Sequence, residues 1–417
     1  MPINRGRPKK DRGEKPVKEI DFYCEEIFNV LPDLKVNIGD GEMELKDALK
    51  LLYQDQALRI ASCRESLLLF SLVYFPYYHL FRMPAFHLAM YGDLDNEDLV
   101  GILWIMFRES AKTSLIKIKL IHNIVYEKKK YNIWGSFDEK KAASNLYDVA
   151  LQLQTNQKIL HDFGQLFYEE DLTAEKYSKK KSVKEFITKN KIKVKAYSTG
   201  MSIRGEVYAE NRPDWLIMDD IETMKTIVSE ARTKQVIDFI DEAITGLSGY
   251  ATLVVLGNRL INNGSIAYIE DKIKSEPKWV VRDVKIIEDN KITWDDKYVL
   301  TDLEADEFNW TIRDKKKQVI SLETKRRLLG DTVFNREMMN QPLSDSEREI
   351  KLAWLQHTYT DESIKTRLRN RYIMIDVANS KARRKTDPDY TGTVMVDWDM
   401  ENNWFVTFVH ADRFNNP

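Results

Sequence analysis

The sequence predicts an α/β protein built on a mainly parallel sheet, and three segments carry that prediction. The apolar run beginning at Val100 has strand length, stops at a short polar turn, and is followed by helix-compatible residues 115–121. Trp215-Leu-Ile-Met218 is a second apolar strand, ended by Asp219-Asp220-Ile221-Glu222. Ala251-Thr-Leu-Val-Val-Leu256 is a third, ended by Gly257-Asn258-Arg259. Strands that alternate with helices and collect polar residues at their ends describe a parallel sheet with its site along that edge.

Composition bounds the rest. A chain of 417 residues has room for two or three domains, each with its own core. Apolar residues at 43% and charged residues at 31% fit a globular protein, and no apolar run is long enough to span a membrane. The first ten residues lack the apolar segment of a secretory signal, which places the protein in a cytoplasm. Cys24 and Cys63 are too few and too far apart for a metal knuckle and read as unpaired thiols in a reducing compartment. A net charge of −2 excludes a histone-like coat of positive charge. Local basic blocks remain, at residues 5–18 and again in the lysine-rich segment 176–195, where either phosphate neutralisation or a solvated face accounts for the pattern.

Taken in order, residues 1–18 are polar, basic and proline-containing, and are expected to be a disordered tail. Within them Arg5-Gly-Arg-Pro8 is similar to the core of a minor-groove arginine hook. Residues 19–65 read as a small helical appendage, with apolar faces at Phe22, Ile27, Phe28 and at Leu45, Ala48, Leu51, Leu52 on either side of a Pro32/Gly39/Gly41 break. Residues 66–91 are dense in aromatics and include His79 and His87; aromatics at this density usually make core, although a pocket for a nucleotide base needs the same materials. Arg108-Glu-Ser-Ala-Lys112-Thr113 then has the chemistry of a phosphate loop: backbone N–H groups wrap a polyphosphate, a lysine meets its outer oxygens and a hydroxyl holds Mg²⁺. The usual glycines are replaced by Met106 and Ala111, so by itself the segment fits a buried strand and amphipathic helix as well.

Residues 131–137 form a short strand, and Asp138 is placed to cap a helix running to about Leu153. Residues 192–197 alternate as a half-buried strand and lead into Ser198-Thr-Gly-Met-Ser-Ile-Arg-Gly205, a glycine-punctuated loop presenting Arg204. Paired carboxylates ending the buried strand at Asp219-Asp220 need a cationic partner, and Mg²⁺ with a polarised water is the usual one in nucleotide hydrolases. Together with the Lys112-Thr113 loop they favour a P-loop ATPase. Residues 226–245 read as a helix, 280–287 as a strand and 330–342 as a helix with a proline stop, whereas Ser344-Asp-Ser-Glu-Arg-Glu349 reads as a connector. Beyond it, a strand containing Asp376, a polar loop with Asp389, and strands at 391–396 and 404–410 resemble the opening of an RNase H-like sheet.

In their order these motifs resemble the large terminase subunit of tailed bacteriophages, over roughly residues 66–417. Residues 108–113 are similar to that family's deviant phosphate loop, Ser202-Ile-Arg204-Gly205 to the loop before its acidic strand, and Leu216-Ile-Met-Asp219-Asp220 to its Walker B. Val255-Leu-Gly257-Asn258 resembles its coupling motif, and Phe334-Asn-Arg-Glu337-Met-Met-Asn340-Gln-Pro342 the signature closing its ATPase half. The resemblance implies a P-loop ATPase domain at 66–345 and a partial RNase H-like nuclease domain at 350–417. It implies ATP and Mg²⁺ as cofactors, Mg²⁺ or Mn²⁺ at the nuclease, and double-stranded DNA, a portal protein and a small terminase subunit as partners. A homo-oligomeric ring on the prohead, in the host cytoplasm and without a membrane role, follows from the same resemblance.

By that resemblance Ser110, Ala111, Lys112 and Thr113 would cradle the phosphates, with Thr113 and Asp219 at the metal. The general base is Asp220 or, if strand geometry persists, Glu222 on the same face. Arg204 and Arg108 are the candidates to stabilise charge on the transferring phosphoryl, in cis or from a neighbouring subunit. Asp376 and Asp389 would hold nuclease metal, but the family's later carboxylates have no counterpart before Pro417, and little nuclease activity is expected of these residues alone. Two other functions fit parts of the pattern: a scaffold that binds DNA or portal without turning over nucleotide, and a helicase-like ATPase unconnected with packaging.

Overall fold

A computed structural model describes residues 21–39, 41–168, 183–227, 230–342, 359–376 and 391–412. The basic tail, residues 176–182 of the lysine-rich segment, the 344–349 connector and the loop carrying Asp389 lie outside the described residues. The chain divides into two compact units, Met1–Pro342 and Leu343–Pro417.

The first unit is organised by a sheet of seven strands: β3 (Gly101–Met106), β4 (Tyr131–Ser136), β5 (Glu185–Ile187), β6 (Lys193–Ser198), β7 (Trp215–Asp219), β8 (Thr252–Gly257) and β9 (Trp279–Val284). Their spatial order is β5-β6-β4-β7-β8-β3-β9, parallel except for the edge strand β5. β8 therefore lies between β3 and β7, so the strand of the phosphate loop and the acidic strand end side by side along one edge but not in contact. Every residue of β3 is buried, because it packs on both faces. Ile102, Trp104 and Met106 face one apolar cluster, and Leu103 and Ile105 face the other. This alternation explains the unbroken apolar run at the start of the loop motif.

Helices cover both faces. α1 (Leu45–Gln54), α2 (Gln56–Glu65), α3 (Leu67–Tyr74), α4 (Ala85–Asp95), α5 (Lys112–Val125), α6 (Glu139–Thr155) and α7 (Gln157–Phe163) contribute to the first cluster. α8 (Glu230–Gly246) and α9 (Ser265–Ile273) contribute Val236, Phe239, Ile240, Ile266 and Ile269 to the second. α6 starts where the sequence places it, with the Asp138 carboxylate accepting from Lys140 N at 2.9 Å.

Residues 19–65 depart from the helical appendage expected of them. The Pro32/Gly39/Gly41 break is a hairpin, β1 (Lys35–Ile38) with β2 (Gly41–Glu44), turned by Gly39 at φ +58°. Leu45, Ala48, Leu49 and Leu52 of α1 join the same cluster as the sheet. A buried ion pair ties this segment down: Arg59 Nε donates to Asp162 at 2.7 Å, and the Tyr74 hydroxyl donates to the same carboxylate at 2.6 Å. An amphipathic helix needs a surface to cover, and the α3–α5 face supplies one.

The stretch from residue 285 to 342 mixes short strands and helices. It holds the short pairs β10 (Ile287–Glu288) with β11 (Lys291–Ile292) and β12 (Tyr298–Val299) with β13 (Ile320–Ser321). It also holds α10 (Asp302–Asn309), α11 (Leu322–Leu329) and α12 (Asp331–Met338). In the second unit, β14 (Arg369–Asp376), β15 (Thr391–Asp399) and β16 (Trp404–Asp412) form an antiparallel meander. Arg371 Nε donates to Asp397 at 2.7 Å, and Arg369 bridges the same carboxylate at 2.9 Å.

Candidate nucleotide site

The edge at which β3, β7 and β8 end in parallel register carries a cavity of about 240 Å³ lined by Arg108, Glu109, Ser110, Ala111, Lys112, Thr113, Ser114, Asp220, Asn258 and Glu337. Residues far apart in sequence meet here because each follows the end of a different parallel strand. α5 begins at Lys112, so its unpaired N–H groups face the cavity.

The absent glycines have a structural answer. Met106 is the buried last residue of β3 and needs no special backbone. Glu109 and Ala111 carry the turn, both at φ +69°. Left-handed backbone costs a residue with a Cβ about 1–2 kcal/mol, and Ala, the smallest such side chain, crowds the loop least. Glu109 is held there from outside. Its carboxylate accepts from Lys325 Nζ at 2.8 Å and the Tyr298 hydroxyl at 3.0 Å, and its carbonyl from Lys297 Nζ at 3.1 Å. Burial alone would raise the Glu109 pKa, but these partners hold it below its ordinary value.

Lys112 is almost fully buried, and its ammonium donates to Met106 O and Asn258 Oδ1, each at 3.1 Å. Burial lowers its pKa against the pull of Asp220 and Asp219. The Thr113 hydroxyl lies 3.3 Å from Asp219 Oδ1, and Asn145 Nδ2 is 3.3 Å from Asp219 Oδ2. Burial, followed by the Asp220 charge, pushes Asp219 up to about 6. Asp220 breaks the strand with φ +51° and pairs with Lys141 on α6.

Glu222 does not reach the cavity. The left-handed turn at Asp220 ends strand alternation, so the two residues no longer share a face. The Glu222 carboxylate instead accepts from Leu260 N at 3.0 Å, Ser265 Oγ at 2.9 Å and Ile266 N at 3.1 Å, capping α9. A Cβ on Gly264 would sit 2.2 Å from it.

Arg108 lines the cavity, its side chain largely exposed and 3.7 Å from Glu337. Arg204 does not line it: the loop after β6 is exposed there, anchored by Glu242, which accepts from Arg204 N at 3.2 Å and from the Ser202 hydroxyl. Asp376 stands exposed at the end of β14, opposite Gly392. Asp389 lies outside the described residues. Among the described residues no group of three or more His, Cys, Asp or Glu converges as a metal site.

The sequence reading gave no role to Lys141, Asn145 or Glu109. In a parallel sheet the first turn of a helix following a central strand must lie at this edge, which would have singled out the i, i+4 pair Lys141 and Asn145. His87 Nε2 donates to Ser110 O at 2.9 Å, and burial holds its pKa down at about 4, so it is neutral. His87 also borders a second cavity of about 430 Å³ that shares Ala111 and Ser114 with the first and is walled by Met90, Leu115, Ile118 and Trp294.

Two observations suit a bound nucleotide and cation. Ser110 Oγ is buried in the loop with no hydrogen-bond partner among the described residues. Thr113 and Asp219 offer hard oxygens, part of the shell that Mg²⁺ completes with phosphates and water.

Fold and site together define an α/β architecture with a mostly parallel sheet and a polar cavity at the strand ends. Solved structures with some likeness to it include the large terminase of bacteriophage HK97, at 17% identity and TM-score 0.40 over 79% of this chain and 63% of that one. The large terminase ATPase domain of Thermus phage P74-26 follows at 12% and 0.34, over 64% of this chain and 97% of that one. The large terminase of another thermophilic bacteriophage, in complex with ADP, gives 10% and 0.34, over 79% of this chain and 69% of that one. Likeness this remote does not transfer a function, and the chain spans less than two thirds of the HK97 protein. No family profile and no curated protein matches the sequence.

Proposed function

We propose that this chain is an ATP-hydrolysing DNA translocase of viral genome packaging, a large-terminase-like motor subunit. The observation that carries the ATPase reading is the convergence of Lys112, Thr113 and Asp220 on one cavity, with the buried Asp219 against Thr113, beside a larger apolar cavity. The smaller cavity takes the phosphates and the larger one the base and sugar.

Lys112 exchanges its two neutral oxygen partners for β- and γ-phosphate oxygens, and the N–H groups at the start of α5 add to the anion site. Mg²⁺ held by Thr113 and Asp219 would neutralise charge building on the phosphates. Asp220 takes a proton from the attacking water as its oxygen bonds to the γ-phosphorus and the bond to the β-phosphate oxygen breaks, leaving ADP and phosphate. Arg108 is the cis candidate for the transition-state charge, and Arg204 on its exposed loop suits a neighbouring subunit's site. Domains at 66–345 and 350–417, the metal-dependent nuclease role of Asp376 with Asp389, and the partners double-stranded DNA, portal and small subunit belong to this reading. So do a ring on the prohead and the host cytoplasm. Among the described residues no helix is long and apolar enough to cross a membrane.

Phosphate release measured with and without double-stranded DNA tests the proposal. DNA-stimulated turnover lost in Lys112→Ala supports it, and no turnover in either condition refutes it in favour of a scaffold.

A further inference from the structure

Four carboxylates lie at or beside the phosphate cavity, and each is engaged by something other than Lys112. Asp219 accepts from Thr113 and Asn145, and Asp220 pairs with Lys141. Glu109 accepts from Lys325 and Tyr298, and Glu337 meets Arg336 at 3.2 Å and Arg108 at 3.7 Å. The Lys112 ammonium, buried among them, donates to a backbone carbonyl and an amide oxygen. A buried ammonium attracts any carboxylate that can reach it, and Asp220 shares its cavity.

We infer that Lys141 is a positioning residue that, with Asn145 one turn further along α6, keeps the acidic pair off Lys112 and so leaves that ammonium open to phosphate. Lys141 and Asn145 stand at i and i+4 on one helix face and take one carboxylate each. Asp220 is the more exposed member of the pair. It is partly exposed and bound through its side chain to Lys141, whereas Asp219 is buried between two partners. Without Lys141, the Asp220 carboxylate turns to Lys112, the buried cation of their shared cavity, and occupies the place of a phosphate oxygen. The effect is on binding first and turnover second.

The inference rests on the nucleotide reading of this cavity, and its test separates the two. Affinity for Mg²⁺·ADP is measured by calorimetry on the full chain and on Lys112→Ala, Lys141→Met, Lys141→Arg, Asp220→Asn and the Lys141→Met/Asp220→Asn double variant. Lys141→Met is expected to weaken binding about tenfold, Lys141→Arg to keep it, and the double variant to recover it, because an amide does not seek the ammonium. Recovery in the double variant is what a merely structural Lys141 would not give. Unchanged binding in Lys141→Met, or a double variant as weak as the single one, overturns the inference while the nucleotide site stands. No binding by the unaltered chain, or none lost in Lys112→Ala, overturns both.

Discussion

Replacing Glu222 separates a structural carboxylate from a catalytic one two residues away. In Glu222→Ala, two backbone N–H groups, Leu260 and Ile266, and the Ser265 hydroxyl lose their acceptor at a site only 7% exposed. A buried donor left unpaired costs about 1–3 kcal/mol, and a carboxylate at a helix N-terminus adds about 0.3–1 kcal/mol. Because water enters the space left by the side chain and recovers part of this, the expected loss is about 3–5 kcal/mol. Glu222→Gln keeps one acceptor oxygen and is expected to lose about half as much. Urea unfolding followed by circular dichroism reads the stability, and phosphate release well below the melting temperature reads kcat. With Asp220 as the proposed base, both Glu222 variants are expected to be destabilised with kcat within a few-fold of the unaltered chain, and Asp220→Asn to lose about 10²–10⁴ in kcat with its stability kept. A Glu222→Gln protein of normal stability that has lost turnover would refute it and return the base to Glu222.

Three further expectations follow from the same geometry. Ala111→Gly is expected to bind nucleotide normally and to shift stability by less than about 1 kcal/mol, because relief of the left-handed strain is offset by a freer unfolded chain. Ala111→Val, β-branched at φ +69°, should abolish nucleotide binding in the same calorimetric assay. Asp162→Ala leaves the Arg59 guanidinium buried and unpaired, and a loss of about 3–5 kcal/mol in urea unfolding is expected. Burial lowers the pKa of His79 to about 3 and of His87 to about 4, from an ordinary 6.5. Below pH 6.5 the unfolded chain then binds protons that the folded chain refuses, so stability is full above about 6.5 and falls as pH drops towards 4. Melting temperatures across that range check it: His87→Gln should flatten the acid limb, and an unchanged limb would contradict a neutral buried His87.

The sequence by itself determined the strands and the chemistry at their ends. Period and length place β3, β4, β6, β7 and β8 within a residue or two, because strands buried on both faces, such as β3 and β8, read as apolar runs and the half-buried β6 as an alternation. Lys112-Thr113 and Asp219-Asp220 were legible for the same reason, since polar groups that end buried strands need a partner. Three things waited for the tertiary structure. A hairpin at 35–44 and the docking of α1 depend on which surface an amphipathic segment finds, and no local pattern records that. The placement of Glu222 away from the cavity turned on one backbone dihedral, because a left-handed residue reverses the alternation on which a sequence argument relies. Lys141, Asn145 and Glu337 became neighbours of the phosphate loop only through the order of parallel strands, with β8 between β3 and β7. Strand order is set by the packing of helices on both faces of the sheet, a long-range energy that residue spacing along the chain does not encode.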